Sequence, residues 1–150
     1  MRVLIQRTSK ASVTIENVVF SEIEKGLLIL IGIEENDKEE DIEWLVKKIT
    51  QMRIFSDENG KMNLSVLDIS GEILVISQFT LFASTKKGNR PSFIKSAKPE
   101  TSIPLYENFV KQLNTIVNSE VKTGVFGADM QVQLINDGPV SIWLDSKNKE

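Results

Sequence analysis

The chemistry-bearing residues of this chain concentrate in one run, Ser77-Gln78-Phe79-Thr80. Its two hydroxyls and its carboxamide suit a carbonyl or a sugar, and backbone amides at a strand-to-loop transition can stabilise an oxyanion. A hydroxyl nucleophile, however, needs a base beside it. Histidine and cysteine are both absent from the 150 residues. Their absence excludes a Ser-His-Asp triad, a thiolate nucleophile, an imidazole base and any zinc site made of His or Cys. Catalysis here must use hydroxyls, carboxylates, amines, backbone groups or the substrate itself. Read only as local structure, Ser77 and Thr80 would simply bond the nearby backbone, as strand-end hydroxyls commonly do.

Asp137-Gly138-Pro139 is a second irregular point. As plain structure it is a turn that breaks a strand; as a functional element it is a rigid elbow presenting carbonyls to a ligand. Charge marks two further segments. Net charge is −3, from 18 basic and 21 acidic residues, which argues against a general nucleic-acid coat. Seven acids against Lys38 alone lie between Glu34 and Glu43, while five bases and no acid lie between Lys86 and Lys98. The basic loop can hold a few phosphates even on an acidic protein, or it is a solvated surface loop. The acids suit a helix start, with Asp37 as cap and Glu40 completing a capping box. No phosphate-binding loop, dinucleotide fingerprint or calcium loop is present.

These residues need a scaffold, and the apolar pattern supplies one. Val3 to Arg7, Ala11 to Ile15 and Val18 to Phe20 read as strands, and Leu27 to Ile33 as a strand buried on both faces. Ile42, Leu45, Val46, Ile49 and Met52 recur at helical spacing as one buried stripe. Leu64 to Leu67 reads as a short strand, and Ile73 to Phe79 as a clearer one. A second helix is expected over about Pro99 to Asn118, with Pro104 in its first turn or at a kink. Met130, Val132 and Leu134 alternate as in a half-buried strand, and Ser141 to Leu144 reads as the last one.

Segregated helices among these strands predict one α+β domain over residues 1–150, mainly antiparallel, with a barrel-like sheet and two main helices packed on it. Hydrophobic residues make up 41% and charged residues 26%, as in an ordinary globular chain that buries about 70% of its unfolded surface. The apolar run from Gly26 to Ile33 is far shorter than the roughly 20 residues of a membrane span, and no signal peptide is visible. A cytoplasmic protein is the expectation, with no membrane association.

Five ordered segments together resemble the D-aminoacyl-tRNA deacylases of bacterial and eukaryotic type. They are Met1-Arg2-Val3-Leu4-Ile5-Gln6-Arg7, Ser77-Gln78-Phe79-Thr80-Leu81, Gly88-Asn89-Arg90-Pro91-Ser92-Phe93, Gly124-Val125-Phe126-Gly127-Ala128-Asp129-Met130 and Asn136-Asp137-Gly138-Pro139-Val140. The resemblance runs from Met1 to about Leu144. It implies a homodimer that hydrolyses the ester between a D-amino acid and the 3′-terminal adenosine of tRNA, with no cofactor and no metal. In such enzymes a cis Gly-Pro peptide enters the active site of the partner subunit, and its carbonyls exclude L-amino acid side chains.

By this resemblance, chiral selection falls on Gly138 and Pro139, with Arg7 locking the elbow. Ser77, Gln78, Phe79 and Thr80 would frame the scissile ester, and Phe126 and Met130 would lie against the adenosine. Glycine has no side chain to exclude, so glycyl-tRNA, including glycine mischarged on alanine tRNA, is also an expected substrate. With no visible base, Thr80 is expected to position the ester rather than attack it. Ser141 stands where the family usually has Thr, and Pro104 stands where a helix former is usual. Two other readings compete: a noncatalytic binding module for RNA 3′ ends or nucleotides, and an editing domain acting on L-aminoacyl esters.

Overall fold

The computed structural model describes residues 1–149. Its organising strand is β1 (Arg2–Ile15), which is long enough to pair with three others. Along one edge it runs antiparallel to β3 (Gly26–Gly32) and then to β2 (Val18–Ile23); along the other it runs antiparallel to β8 (Gln131–Asp145). β3 continues the sheet in parallel with β6 (Glu72–Ser77), and β6 in parallel with the two-residue β7 (Lys122–Thr123). Ser21 on β2 donates its hydroxyl to the Thr123 carbonyl at 2.7 Å, drawing the two ends of the path together. The sheet is therefore nearly closed and barrel-like. A small hairpin of β4 (Phe55–Ser56) and β5 (Met62–Leu64) stands apart.

Two cores follow from the alternation of side chains along β3. Leu27, Ile29 and Ile31 point to the helical side, and Leu28 joins Ala11, Val13, Ile23, Leu74 and Ile76 inside the curled sheet. That is why an unbroken apolar run forms a strand here: both of its faces are buried. Helix α1 (Glu39–Gln51) lays Ile42, Leu45, Val46 and Ile49 on the first core, and α2 (Pro99–Asn114) adds Tyr106, Phe109 and Leu113. Truncating any of these aliphatic residues to Ala would cost about 2–5 kcal/mol. The α+β class, the mainly antiparallel curled sheet and the two packed helices match the sequence expectation. Among the described residues, no helix is long and apolar enough to cross a membrane.

Several boundaries differ, each for a local reason. The expected strands Val3 to Arg7 and Ala11 to Ile15 are one strand, bent by bulges opposite β8. The expected break at Asp137-Gly138-Pro139 is likewise a bulge within continuous β8. Residue 38, rather than Asp37, caps α1: the Lys38 amide donates to Asp41 at 2.8 Å. Asp37 instead receives the Met1 amine and the Glu34 amide. The strand expected from Ile73 to Phe79 ends at Ser77, and the strand expected from Leu64 to Leu67 covers only Met62–Leu64. Helix α2 stops at Asn114, leaving Ile116 exposed; Pro104 lies inside it on the exposed face and does not end it.

Candidate functional site

The last residue pair of the parallel β3–β6 ladder is Ile31 with Ser77. One residue further on, the Gln78 amide still donates to the Ile31 carbonyl, at 2.7 Å. The chain then tightens into a single 3₁₀ turn, Phe79–Phe82, closed by Leu81 N–H donating to the Gln78 carbonyl at 3.2 Å. The opening amides of such a turn, those of Phe79 and Thr80, have no acceptor within it. The Gln78 carboxamide donates to the Thr80 hydroxyl.

Beside this turn opens a cavity of about 550 Å³. Its lining includes Ser77, Gln78 and Phe79 from the strand end, Ile31 and Ile76 from the two parallel strands, and Phe126 and Met130 from the segment before β8. Its aromatic rings are braced. Phe79 meets Phe93 edge-on at 5.0 Å, and Phe126 meets the buried Tyr106 edge-on at 5.8 Å. Tyr106 donates its hydroxyl to the Val75 carbonyl at 3.0 Å, and burial pushes its pKa far up, so it stays a neutral prop. The site thus offers hydroxyls, amides and aromatic faces. Among the described residues, Asp129 is the one carboxylate in the lining.

Gly138 and Pro139 lie elsewhere, exposed on β8 and outside this cavity. Between the pairs Gln6–Ser141 and Thr8–Asn136, Arg7 alone faces residues 137–140, so the chain loops outward. The Gly138-Pro139 peptide is cis. Gly138 has φ +132°, and a Cβ there would lie 2.9 Å from both Arg7 Nη2 and Val140 Cγ2. Only glycine fits this backbone and this space. Buried Arg7 reaches the elbow from below, donating through Nε to the Asp137 carbonyl at 2.9 Å and through Nη1 to the Ile54 carbonyl at 2.6 Å.

Of the residues singled out in the sequence, Ser77, Gln78, Phe79, Phe126 and Met130 meet at the cavity. Thr80 sits beside it on the turn, held by Gln78. Arg7, Gly138 and Pro139 form a separate group. Sequence reasoning missed Phe93, Ser96 and Ser102 in the lining and the Ile54 carbonyl under Arg7. It also missed Asn136, whose side chain accepts from the Val140 amide and donates to the Ser141 hydroxyl, both at 2.9 Å. The Asn-Asp-Gly-Pro string carried that signal, since Asn side chains mimic backbone in turns. Phe93 ends one of the family-like segments but carried no site assignment, and nothing local marks Ser102, because the tertiary fold brings it there.

Fold and cavity together define a class: an α+β fold whose pocket lies at the ends of two parallel strands. The chain matches the family model for D-Tyr-tRNA(Tyr) deacylase over residues 4–145. It is 67% identical over 150 residues to a D-aminoacyl-tRNA deacylase of Bacteroides fragilis (strain YCH46), covering all of both chains. A D-aminoacyl-tRNA deacylase of Akkermansia muciniphila is 61% identical, again over the whole of both. Among solved structures, it superposes on the c-Myc DNA Unwinding Element Binding Protein with a TM-score of 0.92 at 41% identity, covering 97% of this chain and 98% of that one. A structure described as a probable eukaryotic D-amino acid tRNA deacylase gives 0.79 at 17% identity, covering 95% and 97%, and shares the fold. The chain belongs to the D-Tyr-tRNA(Tyr) deacylase family of hydrolases.

Proposed function

We propose that this protein hydrolyses the ester joining a D-amino acid to the 3′-terminal adenosine of tRNA, releasing both in the cytoplasm. The observation that carries the reading is the cavity that Ser77, Gln78 and Phe79 line together with Phe126 and Met130. The first group suits a carbonyl and the second a nucleobase, as the ester of an aminoacylated adenosine requires.

Catalysis in this reading is positioning. An aminoacyl ester is already activated, and the ribose 2′-hydroxyl can orient the attacking water. Water adds to the ester carbonyl, the Phe79 and Thr80 amides hold the oxyanion, and the 3′ oxygen leaves with a proton. Thr80 accepts a hydrogen bond from Gln78, and among the described residues no base is bonded to its hydroxyl, which suits positioning rather than attack. No step calls for a metal or another cofactor.

Chiral selection would lie in the partner subunit's elbow, Gly138-Pro139, held by Arg7 and entering the cavity of a second copy. L side chains would meet its carbonyls, whereas D side chains and glycine would not, so glycine mischarged on alanine tRNA would also be released. A homodimer is supported by β8, which among the described residues pairs only with β1 and leaves Ile135 and Trp143 exposed. Phe79, 54% exposed at the cavity mouth, is also consistent with a site completed by another chain.

The test is release of D-tyrosine from D-tyrosyl-tRNA in EDTA with L-tyrosyl-tRNA spared. Binding without release would overturn catalysis, hydrolysis of the L-ester would overturn chiral exclusion, and loss of activity in EDTA would overturn metal independence.

A further inference from the structure

We infer that the loop of residues 85–95 is a phosphate track that leads the 3′ strand of tRNA into the cavity. The inference rests on the deacylase reading and adds to it the surface that meets the RNA backbone.

Much of the acidic segment between Glu34 and Glu43 is committed to holding the fold together. Asp37 takes the Met1 amine, and Asp41 takes the Lys38 amide and Lys147. Glu35 accepts from the Lys98 amide at 3.2 Å and the Thr101 hydroxyl at 3.0 Å, capping α2. Glu39 ties α1 to α2 through the side chains of Asn108 and Gln112, at 2.8 and 2.7 Å.

The bases are different. Lys86, Lys87, Arg90 and Lys95 are exposed, and among the described residues their side chains make no ion pair or hydrogen bond. Four uncompensated cations on one short loop repel each other, and a polyanion relieves that repulsion. The loop is also anchored. Ser84 and Ser92 exchange amide–carbonyl bonds of 2.9 Å in both directions, fixing the two ends of the arch. The strand leaving the arch then enters the site: Phe93 and Ser96 line the cavity, and Phe93 packs on Phe79. An anionic strand lying along the cations therefore ends where the proposed ester is cleaved.

The experiment measures affinity for uncharged tRNA as a function of salt, by filter binding. It compares wild type, the double variant Lys86→Ala with Lys87→Ala, and the charge-matched control Lys25→Ala with Lys47→Ala. If each loop lysine meets one phosphate, the loop variant's log–log salt slope should be shallower by about 1.4–1.8. The control should keep the wild-type slope. D-Tyrosyl-adenosine, which has the ester but no phosphate, should be hydrolysed equally by wild type and loop variant. An unchanged slope in the loop variant, or an equal change in the control, would overturn the track. Impaired turnover of D-tyrosyl-adenosine would instead make the loop part of the cavity. If wild type cleaves no D-tyrosyl ester at all, the deacylase reading fails, while the salt slopes still decide whether the loop holds RNA.

Discussion

Arg7 and Asp137 are joined twice: Arg7 Nε donates to the Asp137 carbonyl at 2.9 Å and lies 3.4 Å from its carboxylate. The same guanidinium holds the Ile54 carbonyl, so one buried cation on β1 bolts the elbow to the body of the protein. Lysine keeps the charge but cannot supply two donors in a fixed fork. Arg7→Lys should therefore cost about 1–3 kcal/mol in urea unfolding, from an imperfectly satisfied buried carbonyl. It should also lower the ratio of D- to L-tyrosyl-tRNA hydrolysis. A destabilised variant with its D/L ratio intact would show that Arg7 serves the fold and not selection.

Thr80 differs from Arg7 in carrying little structural weight, because its side chain is exposed and, among the described residues, bonded to Gln78 alone. Thr80→Ala should fold normally and keep deacylation within about tenfold of wild type, roughly 1.4 kcal/mol of barrier. An obligatory covalent threonine predicts a far larger loss, so single-turnover rates on D-tyrosyl-tRNA decide between the two roles.

The contrast between these two residues tracks what the sequence could disclose. The cavity's strand-end wall was legible because it is contiguous: Ser77 to Thr80 follow a strong apolar run. The β3 core was legible because burial on both faces leaves an unbroken string of Leu and Ile. The elbow's stitching by Arg7 was legible only through the family resemblance, since Arg7 reaches residues 47 and 130 positions away through their backbone carbonyls. Carbonyls carry no sequence signal. The bulges that merge two expected strands into β1 were hidden for a related reason, as they depend on the register with β8. The cap of α1 moved by one residue because Asp37 had a stronger partner, the Met1 amine, that no local pattern reveals.

That N-terminal cluster contributes to the acid stability. Burial alone would raise the Asp41 pKa, but hydrogen bonds from Lys147, Ser146 and the Lys38 amide hold it below the ordinary 3.8. Asp145 behaves alike: burial raises it, while the Lys147 amide and Arg2 bring it down. Carboxylates depressed in the folded state contribute stability above their unfolded pKa and lose it as pH falls through the folded one. Lys147 is raised above 10.5, chiefly by its hydrogen bond to Asp41, so its contribution is complete below that value and lost as pH climbs past it. Urea stability should therefore be flat through neutrality and fall below about pH 4. Asp41→Asn should remove about 1–2 kcal/mol at pH 7 and make the acid fall shallower. An identical acid limb in the variant would place the acid-sensitive groups elsewhere.

Met130 can be tested without being mutated. Gly124 lies beneath it, and a Cβ at position 124 would fall on the Met130 sulfur and come within 3.1 Å of Ile76 Cδ1. The thioether is the free end of a flexible side chain, so Gly124→Ala should fold, with Met130 displaced toward the cavity it lines. If that wall receives the adenosine, KM for D-tyrosyl-tRNA should rise about three- to tenfold, roughly 0.7–1.4 kcal/mol of binding, with kcat little changed. No atom of Ser77 to Thr80 is among those nearest the added methyl, which is why the two constants should separate. A fall in kcat at constant KM would mean instead that Met130 bears on the ester itself, and the adenosine would have to be assigned to another part of the cavity.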